Sequence, residues 1–236
     1  MIIRREKDIR EINEAGWLIV YGRRKTGKSF LFHNIIDKFD NYYLVTRDRS
    51  VIDVVNNNRL SEEVLEQLLP LLLRERRTVI IDEFHRLPKR FFDFLQSISI
   101  DKKGRLILIT STLHFYKELL SVSSPILGVF SEKEIGLVDP VDTLKTTLTV
   151  SEGKEVVELA VALREPLTAE FAEKGNPLAR TVYFKKDTVS ALLGEIFLEE
   201  ERRLTNAYYA ILKAIADGDV LTPLSASHPA SEVPAS

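Results

Sequence analysis

The chain has 236 residues and enough apolar side chains for a sizeable core, so it suits one large domain or one domain plus a smaller unit. Its formal net charge of −2 provides no global attraction to DNA, RNA or an anionic membrane. It has no cysteine, which excludes disulfides and thiolate metal sites, and no apolar run approaches the length of a membrane span. No secretory segment opens it, so a soluble cytoplasmic protein is expected.

In chain order, "REKDIREINEA" (5–15) has helical spacing with Ile9 and Ile12 inward, and "WLIVYG" (17–22) is a short apolar strand stopped by glycine. "KSFLFHNIIDKF" (28–39) predicts a helix and "NYYLVTRD" (41–48) a second strand. "SEEVLEQLLPLLLRERR" (61–77) predicts a helix that opens at Ser61 and is kinked or divided at Pro70. "TVIIDE" (78–83) is a continuous apolar run, as in a strand buried on both faces. A helix at 89–99, a fourth strand "RLILITST" (105–112) and a fifth "KEIGLV" (133–138) follow. This alternation predicts an α/β fold with a mainly parallel sheet flanked by helices. From about residue 142 the texture turns helical, which predicts a smaller helical unit after the sheet. The division expected is 1–140 for the core, 141–218 for the helical unit and 219–236 for a Ser, Ala and Pro-rich disordered tail.

The densest signal is "GRRKTGKS" (22–29), which fits the phosphate-loop pattern G-x-x-x-x-G-K-[ST] between a strand and a helix. Gly22 and Gly27 permit backbone angles that let successive N–H groups converge on phosphate oxygens. The loop residues Arg23, Arg24, Lys25 and Thr26, with Phe30 in the helix that follows, complete the expected nucleotide contacts. The charge of Arg23, Arg24 and Lys25 either draws a polyphosphate in or is an ordinary solvated loop surface. Lys28 would reach the β- and γ-phosphates of ATP, and the Ser29 hydroxyl would hold Mg²⁺.

The second signal is the end of the apolar strand, Asp82-Glu83. Ligands of open α/β sheets bind at the carboxyl ends of strands. Asp82 would hold Mg²⁺ with Ser29, and Glu83 could polarise the attacking water, which implies hydrolysis rather than phosphoryl transfer to a small molecule. As neighbours on a strand, the two acids are expected to project to opposite faces. His85 has no partner His or Cys nearby in sequence and reads as a packing or surface residue.

One strand and its connection lie between the loop and the acids. This resembles the additional-strand class of P-loop NTPases, whose sheet order is 5-1-4-3-2. In that class a polar sensor ends the fourth strand, here Thr110 or Ser111. The segments "IIRREKDIREI", "VYGRRKTGKSFL", "VIIDEFHRL" and "LILITSTLHF" resemble, in that order, the archaeal ATPase family, an AAA+ branch close to the STAND signalling ATPases. The resemblance covers residues 1–138 and continues loosely through "EEERRLTNAYYAILKAIADG", like an entry into a winged-helix domain that stops after its first helix. It implies that Arg5 and Glu6 lie beside the adenine, and that "GNPLA" (175–179) is a lid motif bringing Pro177 near the base. Where the family often carries an arginine finger, this chain has Val129 after Gly128. Slow basal hydrolysis is therefore expected, with a finger supplied by a protein partner or a second copy, or in cis by Arg164 or Arg180. Three functions follow: an ATPase that acts as a conformational switch or motor, a nucleotide-dependent binding or scaffold module that hydrolyses little, and a DNA-associated ATPase. The neutral charge balance speaks against the last.

Overall fold

The computed structural model describes residues 2–101, 103–112, 115–116, 119, 124–170, 172, 211 and 213–215. Helix α1 (Glu6–Glu14) precedes β1 (Leu18–Tyr21), and α2 (Lys28–His33) follows the loop at its end. Then come β2 (Asn41–Val45), β3 (Val51–Asp53), β4 (Asn58–Leu60), α3 (Glu62–Arg74), β5 (Thr78–Asp82), α4 (Arg90–Ile98), β6 (Arg105–Ile109) and β7 (Ser131–Glu134). Helices α5 (Pro140–Thr147) and α6 (Lys154–Ala162) close the described core.

The sheet runs β4-β3-β2-β5-β6-β1-β7. Its five parallel strands stand in the expected order 5-1-4-3-2 when numbered among themselves, and an antiparallel β3–β4 hairpin extends the β2 edge. The sequence reading missed that hairpin. Its signal is "VIDVVNNNRL", two short runs around an asparagine-rich turn in which Asn57 has φ of 54°. Strand alternation divides the core between the two faces. Ile19, Leu108, Ile81 and Tyr43 are in register across four strands and pack with Leu65, Leu69, Leu73, Phe91 and Leu95 of α3 and α4. Leu18, Ile107, Ile80 and Tyr42 form the row on the opposite face, against Ile12 of α1 and Leu31 and Phe32 of α2.

Several boundaries differ from expectation. Helix α2 ends at His33, because Asn34 and the β-branched pair Ile35-Ile36 are poor helix formers, and a 3-10 turn at Ile36–Lys38 takes over. Helix α3 continues through Pro70, with Leu65, Leu69 and Leu73 buried along one stripe. The fifth parallel strand is 131–134 rather than 133–138. Its partner β1 ends at Tyr21, opposite Glu134, so residues 135–138 leave the ladder. Strand β5 ends at Asp82, so Glu83 lies outside it. Pro177, Arg180 and the tail at 219–236 lie outside the described residues.

Candidate active site

The strand order builds the site. Strand β6 lies between β1, which feeds the phosphate loop, and β5, which ends at Asp82. The residues leaving β6 therefore fall between loop and acids, and Thr110 is held there by its N–H to the Val20 carbonyl at 2.9 Å. Asp82 is in register with Ile109 and Leu44, and Ile109 with Val20, so Asp82 shares the sheet face covered by α2.

The loop is braced from within. Gly22 has φ of +152°, and a side-chain carbon there would come within 2.3 Å of the Ile135 carbonyl oxygen. Gly27, at φ +79°, turns the chain into α2. Lys25 also has positive φ, at 61°. Lys28 is buried, and its Nζ donates to the carbonyls of Gly22 and Arg23, each at 2.7 Å. Thr26 Oγ1 donates to the Arg23 carbonyl at 3.0 Å. Burial lowers the Lys28 pKa to about 8, against the opposing pull of Glu83 and Asp82.

A cavity of about 830 Å³ opens beside the loop. It brings together Arg5, Glu6, Thr26, Gly27 and Phe30, all singled out from the sequence, with Pro166 of the helical unit. Arg5 is buried and donates to the carbonyls of Thr26 at 2.7 Å and Gly136 at 2.6 Å, while its Nε pairs with Asp8 at 2.9 Å. Its guanidinium thus ties α1, the loop and the exit of β7 together. Glu6 pairs with Lys145 of α5 at 2.7 Å. Arg23 forms an ion pair with Glu165, and the Val138 N–H donates to the Arg164 carbonyl at 2.7 Å, so the segment after α6 is joined to the loop and to the exit of β7.

On the acid side, Asp82 is only 1% exposed. Its carboxylate accepts from Tyr42 Oη at 2.8 Å and from the Glu83 N–H at 2.8 Å. Burial raises its pKa, and hydrogen bonds from Ser29 and Tyr42 oppose that rise. The same burial, with Asp82 beside it, raises the Tyr42 pKa. A hydroxyl and a buried carboxylate form an all-oxygen donor pair that suits a hard divalent cation such as Mg²⁺. Among the described residues no group of three or more His, Cys, Asp or Glu side chains could hold a metal. A cation at Ser29 and Asp82 would therefore complete its shell with water or phosphate oxygens.

Glu83 has φ of +57°, a left-handed conformation that costs a side-chain-bearing residue about 1–2 kcal/mol. The opposite-face argument, which assumed a continuing strand, therefore does not apply. Ser111 Oγ donates to Glu83 Oε1 at 2.7 Å, and Arg86 Nη2 lies 2.7 Å from Oε2. His85, expected to be a packing or surface residue, is partly buried beside the site. Its Nδ1 is 3.1 Å from Thr110 Oγ1, and its Nε2 is 3.4 Å from Thr112 Oγ1 and 3.7 Å from Glu83 Oε2. The two sensor candidates thus divide: Ser111 touches the acid and Thr110 touches the histidine. Sequence reasoning missed Arg86, Tyr42 and Glu165. Only Arg86 carried a sequence signal, three residues after Glu83 in a turn.

Residues 14–125 match the family described as AAA domain. No curated protein sequence matches the chain. In fold it is similar to the Walker-type ATPase PABY2304 of Pyrococcus abyssi, with a TM-score of 0.60 and 18% identity over 92% of this chain and 80% of that one. It is also similar to the STAND protein PH0952 of Pyrococcus horikoshii, which has a tetratricopeptide repeat sensor. There the TM-score is 0.50 and the identity 16%, over 93% of this chain and 39% of that one.

Proposed function

Taking the chain as a member of the AAA-type P-loop ATPases, we propose that it binds ATP with Mg²⁺ and hydrolyses it slowly, as a conformational switch. The observation that carries this reading is the grip on Glu83: Ser111 holds one carboxylate oxygen at 2.7 Å, next to Asp82 and across β6 from the loop that carries Lys28. In this reading the loop N–H groups and Lys28 bind the phosphates, and the adenine enters the cavity between Arg5, Glu6 and Phe30. Ser29 and Asp82 would hold Mg²⁺, which when bound neutralises phosphate charge. Glu83 accepts a proton from the attacking water, and Ser111 keeps its carboxylate oriented. Thr110 positions the acid end through His85.

The switch reading is supported by the links between loop and helical unit. Arg23 pairs with Glu165, and Pro166 lies 3.8 Å from where a side chain on Gly27 would begin. A change in the loop therefore reaches Glu165 and Pro166, which belong to the unit 141–218 that we assign as a lid. A slow basal rate is expected because Val129 follows Gly128 and Arg164 is bonded to the Val138 carbonyl. A finger supplied by a partner or a second copy contributes about 10³–10⁵ in rate in other P-loop enzymes.

The test is single-turnover hydrolysis beside ATP affinity for the wild type and Glu83→Gln. Hydrolysis should fall by about 10²–10⁴, with affinity near wild type. Equal rates would remove Glu83 from the chemistry. The Arg86–Glu83 ion pair favours a second reading, a nucleotide-dependent binding module, and that reading takes over if the wild type releases no phosphate alone or with DNA.

A further inference from the structure

The loop carries more positive charge than its backbone needs to hold phosphate. Burial is the main cause of the lowered Lys28 pKa, and against the pull of Glu83 and Asp82 the charges of Arg23 and Arg24 lower it further. Arg23 therefore lies near the ammonium that is expected to meet the β- and γ-phosphates. Like charges gathered at a buried ammonium are unfavourable until a polyanion joins them. Arg23 already holds one anion, the carboxylate of Glu165, which lies 142 positions away in the turn after α6. That pair is incomplete. The two side chains remain 26% and 29% exposed, and the second carboxylate oxygen, Glu165 Oε1, is buried with no hydrogen-bond partner. A carboxylate fully matched to a guanidinium uses both oxygens.

We propose that Arg23 is the cation that holds the γ-phosphate from within the chain, and that Glu165 occupies its guanidinium when no triphosphate is bound. Carboxylate and phosphate oxygens compete for the same planar N–H donors. A triphosphate carries more charge than one carboxylate, and Arg23 stands on the loop that receives it. ATP thus takes the arginine, and Glu165 turns to solvent. ADP has no γ-phosphate, so the Arg23–Glu165 pair persists with it. Arg164, the other candidate among the described residues, is directed elsewhere, with its Nε on the Val138 carbonyl at 3.4 Å. In hydrolysis the water oxygen bonds to the γ-phosphorus and its proton passes to Glu83. The β–γ bridging oxygen leaves on ADP with the electron pair of the broken bond. Arg23 forms no covalent bond and only offsets the charge of the γ-oxygens. The link to the helical unit is then made without the γ-phosphate and broken with it.

The inference rests on the ATPase reading, so its test has a binding arm that needs no hydrolysis. In calorimetry, Arg23→Ala should lose about 10–100-fold of the preference for ATP over ADP, the scale of one charge-assisted hydrogen bond, with ADP affinity near wild type. A loop merely loosened by the substitution would lose ADP affinity as well. The single-turnover rate at saturating ATP should fall by a similar factor, and Arg23→Lys should recover part of both. Glu165→Gln removes the competing charge and should raise ATP affinity about threefold to fivefold, the upper end for a partly solvated pair, with ADP affinity unchanged or lower. An ATP preference equal to wild type in Arg23→Ala, an equal loss of ADP affinity, or no gain in Glu165→Gln would each overturn the proposal. If the wild type binds ATP but releases no phosphate, the hydrolysis reading fails instead, and the ATP preference of the two variants still decides whether Arg23 holds the γ-phosphate.

Discussion

The two halves of the site are built differently. The phosphate loop is held mainly by backbone: two positive-φ glycines, carbonyls turned onto Lys28, and a close approach between Gly22 and Ile135. The acid side is held by side chains from three separate segments, β2, the turn after β5 and the exit of β6, with Tyr42 on Asp82, Ser111 and Arg86 on Glu83, and His85 on Thr110. A backbone-built half tolerates little change in shape, and the side chain it depends on is Lys28. A side-chain-built half can be adjusted by moving one residue.

The comparison can be broken most directly at Lys28. Lys28→Ala should weaken ATP binding by about 10²-fold, the size expected for two charge-assisted hydrogen bonds of about 1.5 kcal/mol each. Calorimetry that finds equal affinities would remove the loop from nucleotide binding.

Gly22→Ala tests the shape argument, because the added carbon would meet the Ile135 carbonyl at 2.3 Å and neither backbone segment can give way cheaply. A loss of about 2–3 kcal/mol in unfolding free energy is expected from the strain and overlap. Unchanged denaturant midpoints would mean that the loop and the exit of β7 do not meet so closely.

Titration sharpens the same half. Burial holds Lys28 at about 8, below its ordinary 10.5, and bound phosphates would raise it. ATP binding therefore takes up a proton above pH 8, and affinity should be flat below that point and fall by up to tenfold per unit above it. The nucleotide-free fold disfavours the charged amine, so this group's contribution to stability rises as pH goes from about 8 to 10.5. Both dependences should vanish in Lys28→Ala.

The smallest effect is expected at the link between the loop and the helical unit. Arg23 and Glu165 are each partly exposed, so Arg23→Ala should cost about 0–1 kcal/mol and the difference should shrink in high salt. A loss well above that, persisting in salt, would show that the pair carries more of the coupling than a partly solvated bridge can.

Much of this protein was legible in the amino-acid order because local chemistry dictates it. The five parallel strands, the helices over the sheet, the loop at Gly22–Ser29 and the acids at 82–83 each depend on periodicity, glycine conformations or a spacing within one segment. Boundaries were less legible where a partner decides them. Strand β7 stops at Glu134 because β1 stops at Tyr21, and α2 gives way after His33 to a turn. The β3–β4 hairpin was missed because three-residue strands carry little periodicity and exist by pairing with β2. The left-handed turn at Glu83 is decided by the residues that grip it, Ser111 on the strand exit next door and Arg86 in the turn. Arg5 is separated from Gly136 by 131 positions and Arg23 from Glu165 by 142, yet each pair is in direct contact. Contacts at that separation leave no trace in local pattern. Only the packing of α1 and the helical unit against the strand ends could bring those groups to the loop.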